Sequence, residues 1–257
     1  MNKTQLLEVI AEIIKDYRHG EIDPITFAHV EKWVDQFDAD DRLTILTELE
    51  RILKRFYCSR TRFESAISAF LASEEVFGSK PEVTLAKVNF LRLQKTSKSK
   101  TSVLEVIDKI LKTKYNLSVS QCGGADLYVY SDDCVFTGNQ FRSYAVTWLE
   151  QNAPTNSTLI AYHIGSHTSG FRYAEKYIDA AAKQKNISFR SYAHINLDNG
   201  RDENSAAQFM WPIEFADESV TQYCQKLKEA YYQKHSGSLG LFRNPIIPTQ
   251  ENVFSSV

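Results

Sequence analysis

The sequence lacks several features that would assign a protein class at once. Its four cysteines, Cys58, Cys122, Cys134 and Cys224, are widely scattered without CxxC spacing, so neither a zinc site nor a disulfide framework is indicated. No apolar run approaches the roughly 20 residues that a membrane-spanning helix needs. The first residues, MNKTQLLEVIAEII, contain acids and no secretory h-region. We therefore expect a cytoplasmic protein with no membrane partner.

A large charge of one sign is also missing. The formal net charge is −2, which gives no general argument for nucleic-acid binding. The distribution is uneven, because residues 1–75 hold 10 Lys and Arg against 15 Asp and Glu, whereas residues 76–120 hold 9 against 3. The length of 257 residues and the apolar content of 43% are those of an ordinary globular protein with one large domain or two small ones.

Common nucleotide-hydrolysis motifs are absent as well. There is no G-x-x-x-x-G-K-[ST] phosphate loop and no G-x-G-x-x-G. Phosphatases with an aspartyl nucleophile need two Asp separated by one residue after a strand, whereas Asp132 and Asp133 are adjacent. Hydrolysis by these routes is not indicated.

Residues 1–78 are predicted to form a helical N-terminal domain. Asp23 before Pro24 predicts one helix start, and Thr61 with Glu64 predicts a capping box at another. The domain is either an interaction module or a winged-helix-like DNA binder with a helix-turn-helix, and its excess of acids favours the interaction module. Four apolar stripes with helical spacing support the helices: Leu6, Ile10, Ile13, Ile14, Tyr17; Val30, Trp33, Val34, Phe37; Ile45, Leu46, Leu49, Ile52, Leu53, Phe56; and Phe63, Ile67, Phe70, Leu71.

Residues 79–257 are predicted to form an α/β domain with a C-terminal extension, after a connector at 76–84. Alternating strands and helices predict a mainly parallel sheet flanked by helices on both faces, with ligands bound at the carboxyl ends of the strands. Polar turns at 94–100, 131–139 and 165–170 would lie along that edge. The predicted strands are 86–93, 127–131, 159–164 and 187–195, and the predicted helices are about 103–111, 139–151, 171–185 and 214–235.

The segment 125–140, ADLYVYSDDCVFTGNQ, is the most informative part of the chain. A strand ends in Asp132 and Asp133, and Thr137 and Gly138 follow at the start of a predicted helix. Amides of a helix N-terminus and a threonine hydroxyl can hold a phosphate, while two carboxylates can accept hydrogen bonds from vicinal ribose hydroxyls. Acids at a strand end are also common as turn residues. Their pairing and the spacing to Thr-Gly favour a site for a phosphorylated sugar.

This segment resembles the ribose-phosphate motif of type I phosphoribosyltransferases, in which hydrophobic residues precede Asp-Asp, two variable positions and Thr-Thr-Gly. Phe136 replaces the first Thr, and a small hydroxyl residue is usual where Gln140 stands. The resemblance implies chemistry at ribose C1′, with Asp132 and Asp133 as the catalytic acids on the ribose hydroxyls. It assigns the 5′-phosphate to Thr137, Gly138, Asn139 and Gln140.

A second candidate element is the basic stretch Lys95–Lys100, KTSKSK, before a predicted helix. Its lysines, hydroxyls and helix amides suit a pyrophosphate, although a solvated basic loop is the alternative. In the family, the loop after the first core strand holds the pyrophosphate, with Mg²⁺ bound mainly through it. That role would fall to Lys95, Ser97, Lys98 and Ser99.

One family feature has no counterpart in the sequence. Phosphoribosyltransferases of this type carry a flexible β-hairpin between the second and third core strands, which closes over the reacting centre. Here only the stretch 116–125 separates a predicted helix from the Asp-Asp strand. Either another segment covers the site, or the chain binds a phosphoribosyl ligand without ordinary transfer.

Two further polar clusters follow along the chain. His163 and His167 accompany the turn 165–170, which is either a ligand-facing loop or an ordinary polar turn, and their spacing does not suggest a metal site. A second cluster could close over a base or a partner, or form a polar surface loop. It comprises Asn196, Asp198, Asn199, Arg201, Asp202 and Glu203, just before Phe209, Met210 and Trp211.

The helical front end (IIKDYRHGEI, VEKWVDQF, SRTRF) and the short core resemble divergent phosphoribosyltransferase-like proteins of bacterial conflict systems, some encoded beside retron reverse transcriptases. This resemblance implies an antiviral defence effector that binds phosphoribosyl pyrophosphate or a nucleotide, with a defence-complex protein or a nucleic acid as partner. The alternative is a non-catalytic ligand-sensing or interaction protein with a degenerate pocket. Both interpretations place a phosphoribosyl ligand at the same site.

Overall fold

The structure is a computed structural model that describes residues 1–18, 20–93 and 98–197, with the backbone alone for 98–102. The chain divides into two compact units, Met1–Val76 and Phe77–Val257. The predicted helix at 214–235 and the C-terminal extension lie outside the described residues. Within the described part, no helix is both long and apolar enough to cross a bilayer.

The first unit contains four helices, α1 (Lys3–Ile13), α2 (Phe27–Val34), α3 (Arg42–Phe56) and α4 (Arg60–Leu71). Each falls on one of the four predicted apolar stripes. The first three helices pack around a common core because their apolar stripes converge there. That core contains Leu6, Leu7, Ile10, Ala11, Val30, Val34 and Leu46.

The predicted start of the second helix is wrong. α2 begins at Phe27, not at Asp23–Pro24. The residue before it, Thr26, has extended backbone, and its N–H donates to Nδ1 of His29 at 3.1 Å. The His29 ring nitrogen thus accepts from the N–H of the residue before the helix, as the N3 side chain does in a capping box.

The predicted capping box of the fourth helix, at Thr61 and Glu64, is wrong, because the helix is capped two residues earlier. α4 begins at Arg60, and the side chain of Ser59 accepts a hydrogen bond from the Arg62 N–H at 3.2 Å. Ser59 is therefore the capping residue. Thr61 lies inside the first turn of the helix and cannot cap it.

The predicted connector at 76–84 is largely helical. Two short helices, α5 (Glu74–Phe77) and α6 (Pro81–Leu85), occupy it. Pro81 stands at the start of α6, where its fixed φ and missing N–H cost nothing. The Thr84 hydroxyl donates to the Phe77 carbonyl at 2.7 Å and joins the two helices.

The second unit contains a sheet of four parallel strands, β1 (Asn89–Leu91), β2 (Leu127–Val135), β3 (Thr158–His167) and β4 (Ser188–Leu197). The connections are α7 (Lys98–Ile110) with a π-helical end at Leu111–Tyr115, α8 (Asn139–Gln151) and α9 (Thr168–Gln184). The predicted parallel α/β fold flanked by helices is confirmed. The spatial order follows the chain order, so the four described strands contain no reversal of winding of the kind that often marks a ligand site.

The strand ends differ from the prediction in a way that changes the site. β1 begins only at Asn89, because Lys87 and Val88 still bond back to the α6 region. β2 and β3 run further than predicted, to Val135 and His167, because their carboxyl ends pair with each other. The predicted turn at 131–139 is therefore mostly strand, and the predicted turn at 165–170 is divided between the end of β3 and the start of α9.

Helices α8 and α9 lie side by side on one face of the sheet. Their apolar side chains form one core with β2 and β3, whose members include Tyr130, Phe141, Ala145, Leu149, Leu159, Ala161, Ala174 and Ile178. Val129, Ile160, Tyr162 and Ile164, elsewhere on β2 and β3, are buried as well. The central strands are thus enclosed, as is usual for parallel sheets.

Candidate functional site

The candidate site lies at the carboxyl end of β2. β1 stops at Leu91, which pairs with Tyr130, whereas β2 continues to Val135 along β3. Asp132 and Asp133 therefore lie inside a strand rather than in the turn that follows it. This placement gives the two acids different surroundings.

Asp132 is an interior residue, with 4% of its surface exposed. The phenol of Tyr130 donates to its Oδ2 at 2.8 Å, and the backbone N–H of Asp133 donates to its Oδ1 at 3.0 Å. Both carboxylate oxygens are therefore engaged within the protein, as a buried polar group requires.

His163 is the register partner of Asp132 on β3 and is fully buried. Its ring makes T-shaped contacts with three aromatic rings: Phe141 at 4.5 Å, Phe171 at 5.6 Å and Tyr130 at 5.8 Å between centroids. His163 therefore lies in the aromatic interior and not in the turn 165–170 that was a candidate ligand-facing loop. His167, the last residue of β3, is partly exposed just before α9.

Asp133 reaches the surface. It is partly exposed, and its Oδ1 accepts a hydrogen bond from the Cys134 N–H at 2.7 Å. The β2–β3 pairs fall on either side of it, at Asp132 and Cys134. Asp132 and Asp133 are neighbours in the chain, but only Asp133 has access to solvent.

The turn Phe136–Gly138 joins β2 to α8 and presents the start of that helix. Gly138 precedes the helix with φ of +75°, in the left-handed region that favours glycine, and offers no capping side chain. The Asn139 N–H approaches the Thr137 hydroxyl only at 3.4 Å, and Asn139 and Gln140 are exposed. α8 has no side-chain cap, as α3 and α9 also have none, so its first amides are suited to an anion.

The same turn rests against the first turn of α9. A Cβ atom on Gly138 would lie 2.0 Å from the carbonyl oxygen of Gly170, and a Cβ on Gly170 would lie 1.8 Å from that of Phe136. Both positions therefore require glycine. This contact sets the start of α8 beside the start of α9.

The structure describes only some of the residues predicted to bind pyrophosphate. Lys95 and Ser97 lie outside the described residues, and Lys98 and Ser99 are the first residues of α7, where the backbone alone is described. Ser131 on β2, one residue past the end of its pairing with β1, is buried, and its Oγ has no hydrogen-bond partner among the described residues. The pyrophosphate role stays a prediction.

Several residues of this edge were missed by the sequence analysis. Tyr130 stands two positions before Asp132, a spacing that places both on one side of a strand and could have suggested the pair. Ser166, buried in β3, donates to Oδ1 of Asn196 at 2.7 Å, so Asn196 belongs to β4 and not to a loop. The rest of that predicted polar cluster, from Asp198 to Trp211, lies outside the described residues.

The segment 116–126, where the family would carry a hairpin, contains no strand. The N–H groups of Gly123 and Ala125 bond to the carbonyls of Ala86 and Lys87 at 3.0 and 3.2 Å. This stretch therefore lies along the chain before β1. Within the described ranges, no three His, Cys, Asp or Glu side chains are grouped so as to hold a metal ion.

Comparison with known proteins identifies the family. The family model PRTase-CE matches residues 30–246, which is most of the chain. Neither the search of curated proteins nor that of solved structures gave a significant match. The matched range includes the parallel sheet, the acid-bearing strand and the turn before α8. The chain therefore belongs to the phosphoribosyltransferase-like family PRTase-CE.

Proposed function

We propose that this protein binds a 5-phosphoribosyl ligand, either phosphoribosyl pyrophosphate or a nucleotide, at the carboxyl end of β2. The observation that carries the proposal is the turn at Gly138, where a helix with no side-chain cap begins directly after the acid-bearing strand. Family membership supports the same ligand class. A helix N-terminus of this kind binds phosphate through its amides and its dipole.

In this proposal each part of the ligand meets a different element. The 5′-phosphate accepts hydrogen bonds from the Thr137 hydroxyl and from the first amides of α8, including those of Asn139 and Gln140. The ribose lies toward Asp132 and Asp133. The predicted basic segment Lys95, Ser97, Lys98 and Ser99 would receive the pyrophosphate, and Mg²⁺ carried by that group would supply charge neutralisation.

If the protein is an enzyme, its chemistry lies at ribose C1′. The bond from C1′ to the pyrophosphate oxygen breaks, the electron pair leaves with that oxygen, and a nucleophilic nitrogen forms the new bond to C1′. The chain's contribution is to hold the ligand in position and to stabilise charge.

A non-catalytic, ligand-sensing role is the second candidate, and one observation favours it. The segment 116–126 is bonded to the backbone of Ala86 and Lys87, so this part of the chain does not supply a closing hairpin. If no other segment covers the site, water reaches an oxocarbenium-like centre and competes with the acceptor. Binding without transfer is compatible with that geometry.

The biological setting that we propose is antiviral defence, with a defence-complex protein or a nucleic acid as partner. The resemblance of the helical front end and short core to proteins of bacterial conflict systems supports this setting. The test is phage plating on bacteria that carry the native locus, with wild-type chain or with Thr137→Ala. Protection that survives Thr137→Ala unchanged would separate defence from the ligand site.

Calorimetry with phosphoribosyl pyrophosphate and Mg²⁺ tests the ligand. We expect saturable binding to the wild type and a loss of roughly tenfold in affinity for Thr137→Ala, because one hydrogen bond to a charged group is removed. Thr147→Ala is the matched control, since Thr147 is exposed on α8 well past its first turn. Equal affinities for the two variants would contradict the phosphate assignment. Mass spectrometry of the products then distinguishes transfer from sensing.

A further inference from the structure

We infer that the two adjacent acids divide the work: Asp133 contacts the ribose hydroxyls, and Asp132 is a positioning residue that holds Asp133 in place. This inference rests on the proposed function and refines it. The sequence motif treats the acids as equivalent, whereas the structure gives them different exposure and different partners.

The buried environment of Asp132 excludes a direct role. With 4% exposure and hydrogen bonds on both carboxylate oxygens, Asp132 can receive a ribose hydroxyl only if the residues that cover it move. Such a movement would disturb the hydrogen bonds of the interior carboxyl group and leave buried polar atoms without partners, which is unfavourable. The ligand therefore meets Asp132 only through its neighbours.

Asp133 has the opposite character. Its side chain is partly exposed, and its Oδ1 accepts the Cys134 N–H, so the carboxylate is held in one orientation. Among the described residues, no hydrogen bond is made by its Oδ2. A carboxylate oxygen has two lone pairs and can accept from a hydroxyl of the sugar. Asp133 is thus a fixed acceptor that faces outward.

The link between the two acids runs through the backbone. Oδ1 of Asp132 accepts the N–H of Asp133, and Oδ2 is fixed by the Tyr130 phenol. The ring of Tyr130 stacks on Phe141, at 5.5 Å between centroids and 5° between planes. Since Phe141 belongs to the first turn of α8, this chain of contacts sets the sugar-binding acid at a fixed distance from the phosphate-binding amides.

The test measures affinity for phosphoribosyl pyrophosphate with Mg²⁺ by calorimetry, together with the melting temperature of each variant. We expect Asp133→Asn to lose tenfold to a hundredfold in affinity at roughly unchanged melting temperature, because the amide replaces an acceptor with a donor. Tyr130→Phe removes only the phenol that fixes Asp132, and we expect roughly a threefold to tenfold loss. Tyr128→Phe, on the same strand against Trp148, is the control and should bind like the wild type.

The double variant Tyr130→Phe/Asp133→Asn distinguishes positioning from a general structural effect. If Tyr130 acts through Asp133, its substitution costs almost nothing once Asp133 is replaced, so the two losses are strongly non-additive. Additive losses, or a Tyr130→Phe variant that only melts earlier, would overturn the positioning role. Full affinity in Asp133→Asn would overturn the contact role.

These outcomes are separate from the fate of the proposed function. If the wild type binds and Thr137→Ala weakens binding, the phosphate site is supported, whatever the affinities of the Asp132 and Asp133 variants. Those affinities then test only the division of roles between the two acids. If Asp132→Asn folds and loses more affinity than Asp133→Asn, the roles are reversed and the inference is wrong. If the wild type does not bind at all, the proposed function and this inference fail together.

Discussion

Gly138 and Gly170 touch across the junction of the β2–α8 turn and α9, where a Cβ on Gly138 would lie 2.0 Å from the Gly170 carbonyl oxygen. The contact fixes the turn that presents the α8 amides. Because the neighbouring atoms are backbone atoms of another element, they cannot rotate away as a side chain could. The shape of the candidate phosphate site therefore depends on glycine at both positions, because any other residue would add a Cβ atom.

Gly170→Ala is expected to destabilise the α/β unit. Its Cβ would lie 1.8 Å from the Phe136 carbonyl oxygen, so the turn or the helix must move, at a cost of about 1–3 kcal/mol or more. Gly165→Ala is the comparison, because its Cβ would meet only the Cys134 sulfur at 3.0 Å, in an exposed side chain that can adjust. Urea unfolding of both variants checks the order, and equal midpoints would contradict it.

The aromatic cluster around His163 is expected to contribute strongly to stability. Phe141 is buried between Tyr130, His163 and Phe171, so Phe141→Ala leaves a cavity and should cost about 3–5 kcal/mol. Tyr177→Ala, with 43% of Tyr177 exposed on α9, should cost much less. Thermal unfolding compares the two variants. A loss of stability in Phe141→Ala no larger than that in Tyr177→Ala would contradict the prediction, because the neighbouring rings would then have filled the cavity.

The sequence predicted those features of the fold that depend on residues close together in the chain, and it missed those that depend on contacts between distant segments. The bounds of α8, 139–151, were predicted correctly because Gly138 and the apolar spacing are local signals. The end of β2 was missed because Cys134 and Val135 join the strand through Gly165 and Ser166 of β3, a pairing that one segment does not encode. The cap at Ser59 was missed because several nearby hydroxyl residues offer similar signals.

The site shows the same limit. Residue types at 132, 133, 137 and 138 predicted a sugar-phosphate motif, and the structure places them on one strand–turn–helix unit. The difference between Asp132 and Asp133 was not predictable from the motif. It arises from the extension of β2 and from the Tyr130 phenol, which are consequences of tertiary packing.

In the helical unit, Asp16 is expected to support stability in a pH-dependent way. Its two carboxylate oxygens accept bonds from the Tyr57 phenol and the Arg60 N–H, each at 2.6 Å. Burial opposes the charged form of Asp16, but these two bonds outweigh it and keep the pKa of Asp16 below its usual value. Burial and the bond to Asp16 raise the pKa of the Tyr57 phenol.

Asp16→Asn should therefore lower the free energy of unfolding by about 1–2 kcal/mol at pH 7. A depressed folded-state pKa gives a stabilisation that is complete above the unfolded pKa of about 4 and is lost as the pH falls through the folded value. The difference between wild type and variant should thus shrink below about pH 4. Denaturation at several pH values measures it, with the exposed Asp40→Asn as control. A difference that grows toward acid would refute the assignment.

The helical unit is not expected to bind DNA in the manner of a helix-turn-helix protein. Its arginines are engaged inside the unit: Arg42 with Asp35 at 2.7 Å, Arg51 with Glu48 at 2.8 Å, and Arg62 with the backbone carbonyl of Tyr57 at 3.2 Å. DNA binding needs cations that are free to replace counterions. Fluorescence anisotropy of the full chain with duplex DNA should show weak binding without a steep salt dependence. Tight binding that collapses as salt rises would revive the DNA-binding alternative.

The most direct test of the central claim is a crystal structure of the full chain with ribose 5-phosphate. We expect phosphate oxygens about 3 Å from the Thr137 hydroxyl and from the backbone nitrogens of Asn139 and Gln140. We further expect a ribose hydroxyl on Asp133, with Asp132 still bonded to Tyr130. A sugar phosphate bound elsewhere, or a free α8 N-terminus at saturating ligand, would contradict the account.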